Sequence, residues 1–154
     1  MQSYREQFER LVRNYQRLAQ INQGRQHDMH SENYRDEVYS YFLNCYHLKD
    51  WLINDSAFPA NAAEVEGYIN TNPELQLCAD ICNAHKHLRL DKPRSAENPR
   101  VGGQKIDLKL GARETAIKVQ FTIDTVSGPL DAFELATKCL ELWKVFIVKK
   151  GGTA

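Results

Sequence analysis

The residues from Pro73 to Leu90, PELQLCADICNAHKHLRL, constrain the fold more than any other part of the chain. A helix is predicted because Pro73 is tolerated in a first helical turn and Glu74 complements the positive end of the helix dipole. On a helical wheel, two apolar arcs enclose a narrow polar strip, here called the seam, which consists of Gln76, Asp80, Asn83 and His87. A surface helix normally has one wide polar face, so this strip predicts a helix that is covered on both sides.

The seam needs partners, because buried carboxylates, amides and imidazoles must be hydrogen-bonded. We expect the partners on the preceding long helix, at His47 or Asp50. Three interpretations remain open: a network that fixes helix register, proton-transfer or nucleolytic chemistry in which a carboxylate orients a histidine, and a divalent-metal site. The candidate catalytic residues are His87, Asn83, Asp80, His47 and Asp50.

A basic run continues from the seam into the following loop. It comprises His85, Lys86, His87, Arg89, Lys92, Arg94 and Arg100. The chain has 20 basic and 20 acidic residues, so any nucleic-acid contact must use a local patch of this kind. The alternative is a solvated helix end, because Lys and Arg favour the last turn of any helix. The candidate nucleic-acid-binding residues are Lys86, Arg89, Lys92 and Arg94.

The remaining pattern predicts a mainly α protein with one hairpin. Helical periodicity indicates helices over Tyr4–Ile21, Ser31–Asn54 with Ser31 as N-cap, Ala62–Asn70, and about 130–149. Alternating apolar residues predict a β-hairpin at about 104–124, with a turn through Gly111–Glu114. We therefore expect an up-down bundle of four to five helices with the hairpin inserted before the last helix, in a single domain over 1–154.

The loop that follows Leu90 is unusually long for a compact domain. The sequence DKPRSAENPRVGG contains two prolines and two glycines and shows no periodicity. Loops of about a dozen residues are uncommon in such domains and tend to be functional or mobile. The loop therefore extends the candidate site beyond the seam helix.

The four cysteines are expected to pack in the core as free thiols. Cys45, Cys78, Cys82 and Cys139 all stand at apolar positions of predicted helices. Cys78 and Cys82 would place two thiolates on one helix face, but no second Cys or His pair has the spacing of a zinc site. We therefore expect no structural metal, no cofactor and no disulfide.

Several classes of protein are disfavoured by what the sequence lacks. No apolar run approaches the roughly 20 residues that span a bilayer, and the first residues, MQSYREQFERL, do not form a signal-peptide pattern. The cytosol is the expected compartment, with no membrane partner. The phosphate-binding motifs GxxxxGK[ST] and GxGxxG are missing, as are GxSxG and HExxH.

Three segments carry a resemblance to a known superfamily. They are DICNAHKHLRL, the preceding HLKDWL, and the closing DAFELATKCLELWKVF. Their spacing is similar to that of the HEPN superfamily of compact helical proteins, and the segments also resemble a group of small bacterial proteins. HEPN nucleases carry an Arg, often a polar residue next to it, and a His four to six residues beyond the Arg. Asn83 and His87 match the last two, and Cys82 stands where the Arg is expected.

The resemblance implies a protein that dimerises and that binds or cleaves RNA, or binds nucleotides, without a metal. If the chain is an enzyme, it would then be a metal-independent ribonuclease with His87 as acid or base, oriented by Asn83 and Asp80. The competing interpretation is a non-enzymatic interaction module in which the seam is a structural hydrogen-bond network. A catalytic seam must line a cleft that is open to solvent, whereas a structural network need not.

Overall fold

The computed structural model describes residues 2–27 and 30–154 and all their side chains except that of Ser31. The helices are α1 (Tyr4–Gln23), α2 (Ser31–Asn54), α3 (Ala62–Thr71), α4 (Pro73–His87) and α5 (Ala132–Lys149). The strands are β1 (Arg25–Gln26), β2 (Arg100–Leu110), β3 (Thr115–Thr125) and β4 (Gly128–Asp131). Helices account for 57% of the protein, so it is mainly α, as predicted, and it also contains an antiparallel sheet.

The helix boundaries follow from local capping chemistry. Asn61 and Glu64 form a reciprocal capping box at the start of α3. The side chain of Asp131 accepts a hydrogen bond from the Glu134 amide and caps α5. At α2 the predicted N-cap is one residue late, because His30 occupies the cap and Ser31 is the first helical residue; the side chain of Ser31 lies outside the described part. Helix α4 ends at His87, three residues before the predicted end.

The sheet is assembled around β3. The predicted hairpin is confirmed: β2 and β3 pair antiparallel, and the Gly111 amide donates to the Glu114 carbonyl at 2.9 Å in the turn. The hairpin is also extended, because β1 and β4 pair with β3 as well. One face of β3, formed by Ile117, Val119, Phe121 and Ile123, is buried against α1 and α5. An isolated hairpin is only marginally stable, and the packing of this apolar face against the helices stabilises it.

Helix α2 is the most enclosed of the helices. Its core residues Tyr34, Val38, Tyr41, Phe42, Cys45, Leu48 and Leu52 are all fully buried. The helix contacts α1, α3, α4 and α5, in agreement with its apolar surface on several sides. All four cysteines are buried and free, which confirms the predicted packing of the thiols. Within the described residues, no helix is long and apolar enough to cross a membrane.

Candidate functional site

Asp80 is a fully buried carboxylate of the seam, and its partners come from the loop after α4. One carboxylate oxygen accepts from the Arg94 amide at 2.7 Å. The other accepts from the Ser95 amide at 2.8 Å and from the Ser95 hydroxyl at 2.7 Å. Because these donors satisfy a carboxylate that is 0% exposed, they make its burial tolerable. We call this arrangement the Asp80 clamp.

The Asp80 clamp replaces the hydrogen bond that we expected between the seam and α2. His47 and Asp50 are exposed on α2. Asp50 pairs instead with its neighbour Lys49, at 3.1 Å. Within the described part of the chain, the hydrogen bonds of Asp80 all go to the 88–99 loop. The structure therefore does not bring His47 and Asp50 together with Asp80.

Asn83 and His87 lie on the outer part of α4. Asn83 is half-buried and His87 is exposed. Both line a shallow surface pocket of about 300 Å³ together with Arg89, Leu90, Asp91 and Lys92. At a rise of about 1.5 Å per residue, His87 lies roughly 10 Å beyond Asp80 along the helix axis. Asp80 thus does not orient the His87 ring directly.

Cys82 occupies the position at which the HEPN resemblance places an arginine. Its side chain is buried, and burial raises the pKa of this thiol to about 11. The thiol is therefore neutral at physiological pH and turned into the protein. It has neither the charge nor the exposure to stabilise a phosphate group.

The side chain of Arg94 is engaged in hydrogen bonds and an ion pair within the protein. Its guanidinium donates to Asn70 Oδ1 at 2.9 Å and to the Tyr46 hydroxyl at 3.2 Å. It also pairs with Glu66 at 2.7 Å, and Glu66 in turn pairs with Lys49 at 3.1 Å. Arg94 thus joins the clamped loop to α2 and α3. This predicted nucleic-acid contact has a structural role that sequence reasoning did not identify.

The Arg94–Glu66 pair predicts a component of stability that depends on pH. Partial burial raises the pKa of Glu66, but hydrogen bonds from Arg94 and Lys49 outweigh burial and hold this pKa below its ordinary value of 4.5. When the pKa of a carboxyl group is lower in the folded state than in the unfolded state, the protein gains its full stabilisation at a pH above the unfolded-state pKa. This stabilisation is lost as the pH falls through the folded-state pKa. We expect wild type to lose its stability advantage over Glu66→Gln as pH falls below about 4.5, measured by urea unfolding. A difference between the two that does not change with pH would contradict the prediction.

A second pocket, of about 270 Å³, lies where α4 meets the loop, and an aromatic pair lines it. His85 stacks on Tyr39 of α2, with ring centroids 4.3 Å apart and an interplanar angle of 23°. His85 is exposed and lines the pocket, so the stacked pair is accessible from solvent. We call Tyr39 and His85 the stacking pair. Sequence reasoning missed it, because nothing in the sequence brings Tyr39 of α2 to His85 of α4.

Two residues with left-handed backbone lie at the two ends of the loop and line the pocket of the stacking pair. Leu88 caps α4 at φ 62° and Asn98 has φ 44°. Asn tolerates this region, whereas a bulky residue such as Leu is an outlier there. The Leu88 side chain is also 89% exposed. Strained backbone of this kind persists only where its surroundings determine it, and it is concentrated at functional sites.

The cations of the site lie near the end of α4, and the pocket that Arg89 and Lys92 line shares Leu90 with the pocket of the stacking pair. Lys86, Arg89 and Lys92 are exposed at the end of α4 and in the loop; we call these three residues the basic edge. Arg89 and Lys92 line the pocket that contains Asn83 and His87. The site therefore presents an exposed ring on α4 and three exposed cations, of which Arg89 and Lys92 lie on the loop that the Asp80 clamp holds in place.

Comparison of the chain with protein-family models, with curated proteins and with solved structures finds no match.

Proposed function

We propose that the protein is a HEPN-like module that binds single-stranded RNA or nucleotides without cleaving them. One observation carries the proposal: His85, exposed and stacked on Tyr39, lines a pocket that shares Leu90 with the pocket lined by Arg89 and Lys92 of the basic edge. In this proposal the helices form the up-down bundle that the sequence pattern predicts. Asp80 has a structural part, because its oxygens hold the loop.

The chemistry of such a site suits single strands better than duplexes. Unpaired bases offer flat faces that stack on aromatic side chains, and each stacked base contributes about 1–3 kcal/mol. Lysine and arginine at the rim neutralise phosphates and position the strand without reading its sequence. The stacking pair would hold a base, and Lys86, Arg89 and Lys92 would hold the flanking phosphates.

Binding is favoured over cleavage by the state of the residues that the nuclease interpretation requires. His87 is exposed and Asp80 is fully engaged with the loop. Cys82, at the expected arginine position, is buried and neutral. The group that would stabilise the phosphate is thus missing, while the groups that bind a strand remain exposed.

The first test measures the binding of a fluorescent single-stranded RNA by anisotropy. His85→Ala removes the open ring from an exposed position, and we expect the dissociation constant to rise about 5- to 150-fold, which corresponds to one stacked base. The matched control is Lys144→Ala, an exposed change on α5, which should leave affinity unchanged. Equal affinities for wild type and His85→Ala would refute the proposed site.

The same assay, repeated over a series of salt concentrations, tests the basic edge. The double variant Lys86→Ala, Arg89→Ala should make the slope of log affinity against log salt shallower by about 1.4, because each contact to a single strand contributes about 0.7. Incubation of the RNA with metal-free wild type and His87→Ala tests cleavage. Cleavage by wild type that His87→Ala abolishes would replace the binding interpretation with the ribonuclease interpretation.

A further inference from the structure

Three buried thiols meet in the core, away from the stacking pair. Cys45 of α2, Cys78 of α4 and Cys139 of α5 place their sulfur atoms within 4.8 Å of one another. All three residues are buried, and each comes from a different helix. We call them the thiol cluster. Cys82, the partner that sequence spacing suggested for Cys78, lies outside it.

The thiol cluster is accompanied by a polar group that has no partner. Trp143 is 1% exposed, and its indole Nε1–H lies near the Cys45 side chain, where it opposes the effect of burial and helps to lower the pKa of that thiol. Yet this N–H has no hydrogen-bond acceptor within bonding distance in the described residues. An unpaired buried donor is costly, and a sulfur that carried negative charge would be a far better acceptor for it than a neutral thiol.

We propose that the thiol cluster is a three-coordinate binding site for a soft d10 cation, and that Cu(I) is the cation it suits best. Thiolates select soft cations such as Cu(I). A metal–sulfur bond of about 2.3 Å is typical of thiolate sites, whereas a circle through three points 4.8 Å apart has a radius of about 2.8 Å. Each sulfur therefore needs to move inward by about 0.5 Å at most.

A three-coordinate cation is favoured because the described surroundings offer no fourth ligand. No other His, Cys, Asp or Glu of the described residues joins the cluster. The Tyr41 hydroxyl, one turn before Cys45, already donates to the Ala136 carbonyl at 2.6 Å. Zinc sites use four ligands, often including a water in open sites, so a sealed set of three sulfurs suits Cu(I) better.

Binding exchanges protons for the cation. Without the cation, the Cys78 thiol donates to the Phe42 carbonyl at 3.5 Å, and the Cys139 thiol donates to the Glu74 carbonyl at 3.4 Å. Each sulfur that bonds to the cation as a thiolate releases one proton to solvent, up to three in all, so affinity must fall as pH is lowered. The Trp143 N–H then gains a charged acceptor.

The experiment titrates the reduced, full-length chain anaerobically with Cu(I) against a competing Cu(I) chelator. We expect one Cu(I) per chain, a shell of three sulfur neighbours in X-ray absorption, and an unfolding midpoint raised by the bound cation. Removal of a group that only supports a metal ligand typically changes metal affinity about 10–100-fold. Cys139→Ala removes a ligand itself, so we expect the affinity for Cu(I) to fall by more than about 100-fold. Cys82→Ala, which removes a buried thiol outside the cluster, is the matched control and should leave the affinity nearly unchanged.

Three outcomes would overturn the proposal. The first is stoichiometric Cu(I) binding that survives in Cys139→Ala. The second is binding that is accompanied by loss of the native circular dichroism signal, because the cation would then have bound unfolded thiols. The third is an X-ray absorption spectrum in which Cu(I) bound to wild type has a number of sulfur neighbours other than three. This measurement tests the proposal even if Cys139→Ala does not fold.

Discussion

Asp80→Ala is expected to destabilise the protein by roughly 2–5 kcal/mol and to release the loop from α4. The substitution removes the acceptor of three hydrogen bonds, and it leaves the Arg94 and Ser95 amides without a partner. Hydrogen bonds to charged groups contribute about 1.5–3 kcal/mol each, and an unsatisfied buried donor costs about 1–3 kcal/mol. Urea unfolding gives the loss of stability, and hydrogen exchange at the Arg94 and Ser95 amides shows whether the loop has opened.

The control for this variant is Asp91→Ala, which removes an exposed carboxylate from the same loop. Surface changes of this kind usually alter stability by less than about 0.5 kcal/mol. Under the proposed function, Asp80→Ala should also weaken RNA binding although Asp80 touches no ligand, because Arg89 and Lys92 of the basic edge lie on the loop that Asp80 holds. If Asp80→Ala matched Asp91→Ala in both stability and amide protection, the Asp80 clamp would have no energetic role.

Trp143→Ala should cost about 3–5 kcal/mol, which is the usual range for truncation of a buried aromatic side chain. The ring packs against Tyr68 and Phe146, with centroids at 6.1 Å and 6.0 Å, and the loss would leave a cavity beside the thiol cluster. Trp143→Phe is the comparison, because it keeps much of the packing and deletes an N–H that has no acceptor in the described structure. Removal of an unpaired buried polar group is often close to neutral.

The two variants separate the packing of Trp143 from its N–H group. Urea midpoints at constant m-value give both costs on one scale. We expect Trp143→Phe to lose less than half of what Trp143→Ala loses. Equal losses would contradict this prediction and would mean that the smaller phenylalanine ring recovers none of the packing of the indole.

Periodicity was sufficient to predict the helices. Helix α2 spans Ser31–Asn54, within one residue of its predicted bounds, because its apolar positions recur over more than six turns. The alternation in β2 and β3 was equally informative. Strand β1 was missed, since two residues are too few to show a period, and its partner Ile117 lies far away in the chain.

The candidate site was predicted only in part, for a physical reason. Asp80 was identified as a buried polar residue of the seam, and it is fully buried. Its partners are two backbone amides and one hydroxyl, and a backbone amide has no signature in a sequence. His47 and Asp50 stood at the right helical phase, yet both are exposed, because the loop supplies the donors that Asp80 needs.

The central place of β3 in the sheet also limits how the length of this chain can change. All three other described strands pair with β3 and none pairs with another. Insertion or deletion of one residue within β3 would reverse the side chains beyond that point, turning apolar residues such as Phe121 or Ile123 toward solvent. The same event would shift the pairing of more than one partner strand at once. Length changes should therefore be far better tolerated in the turn at 111–114 than in the strand that follows it.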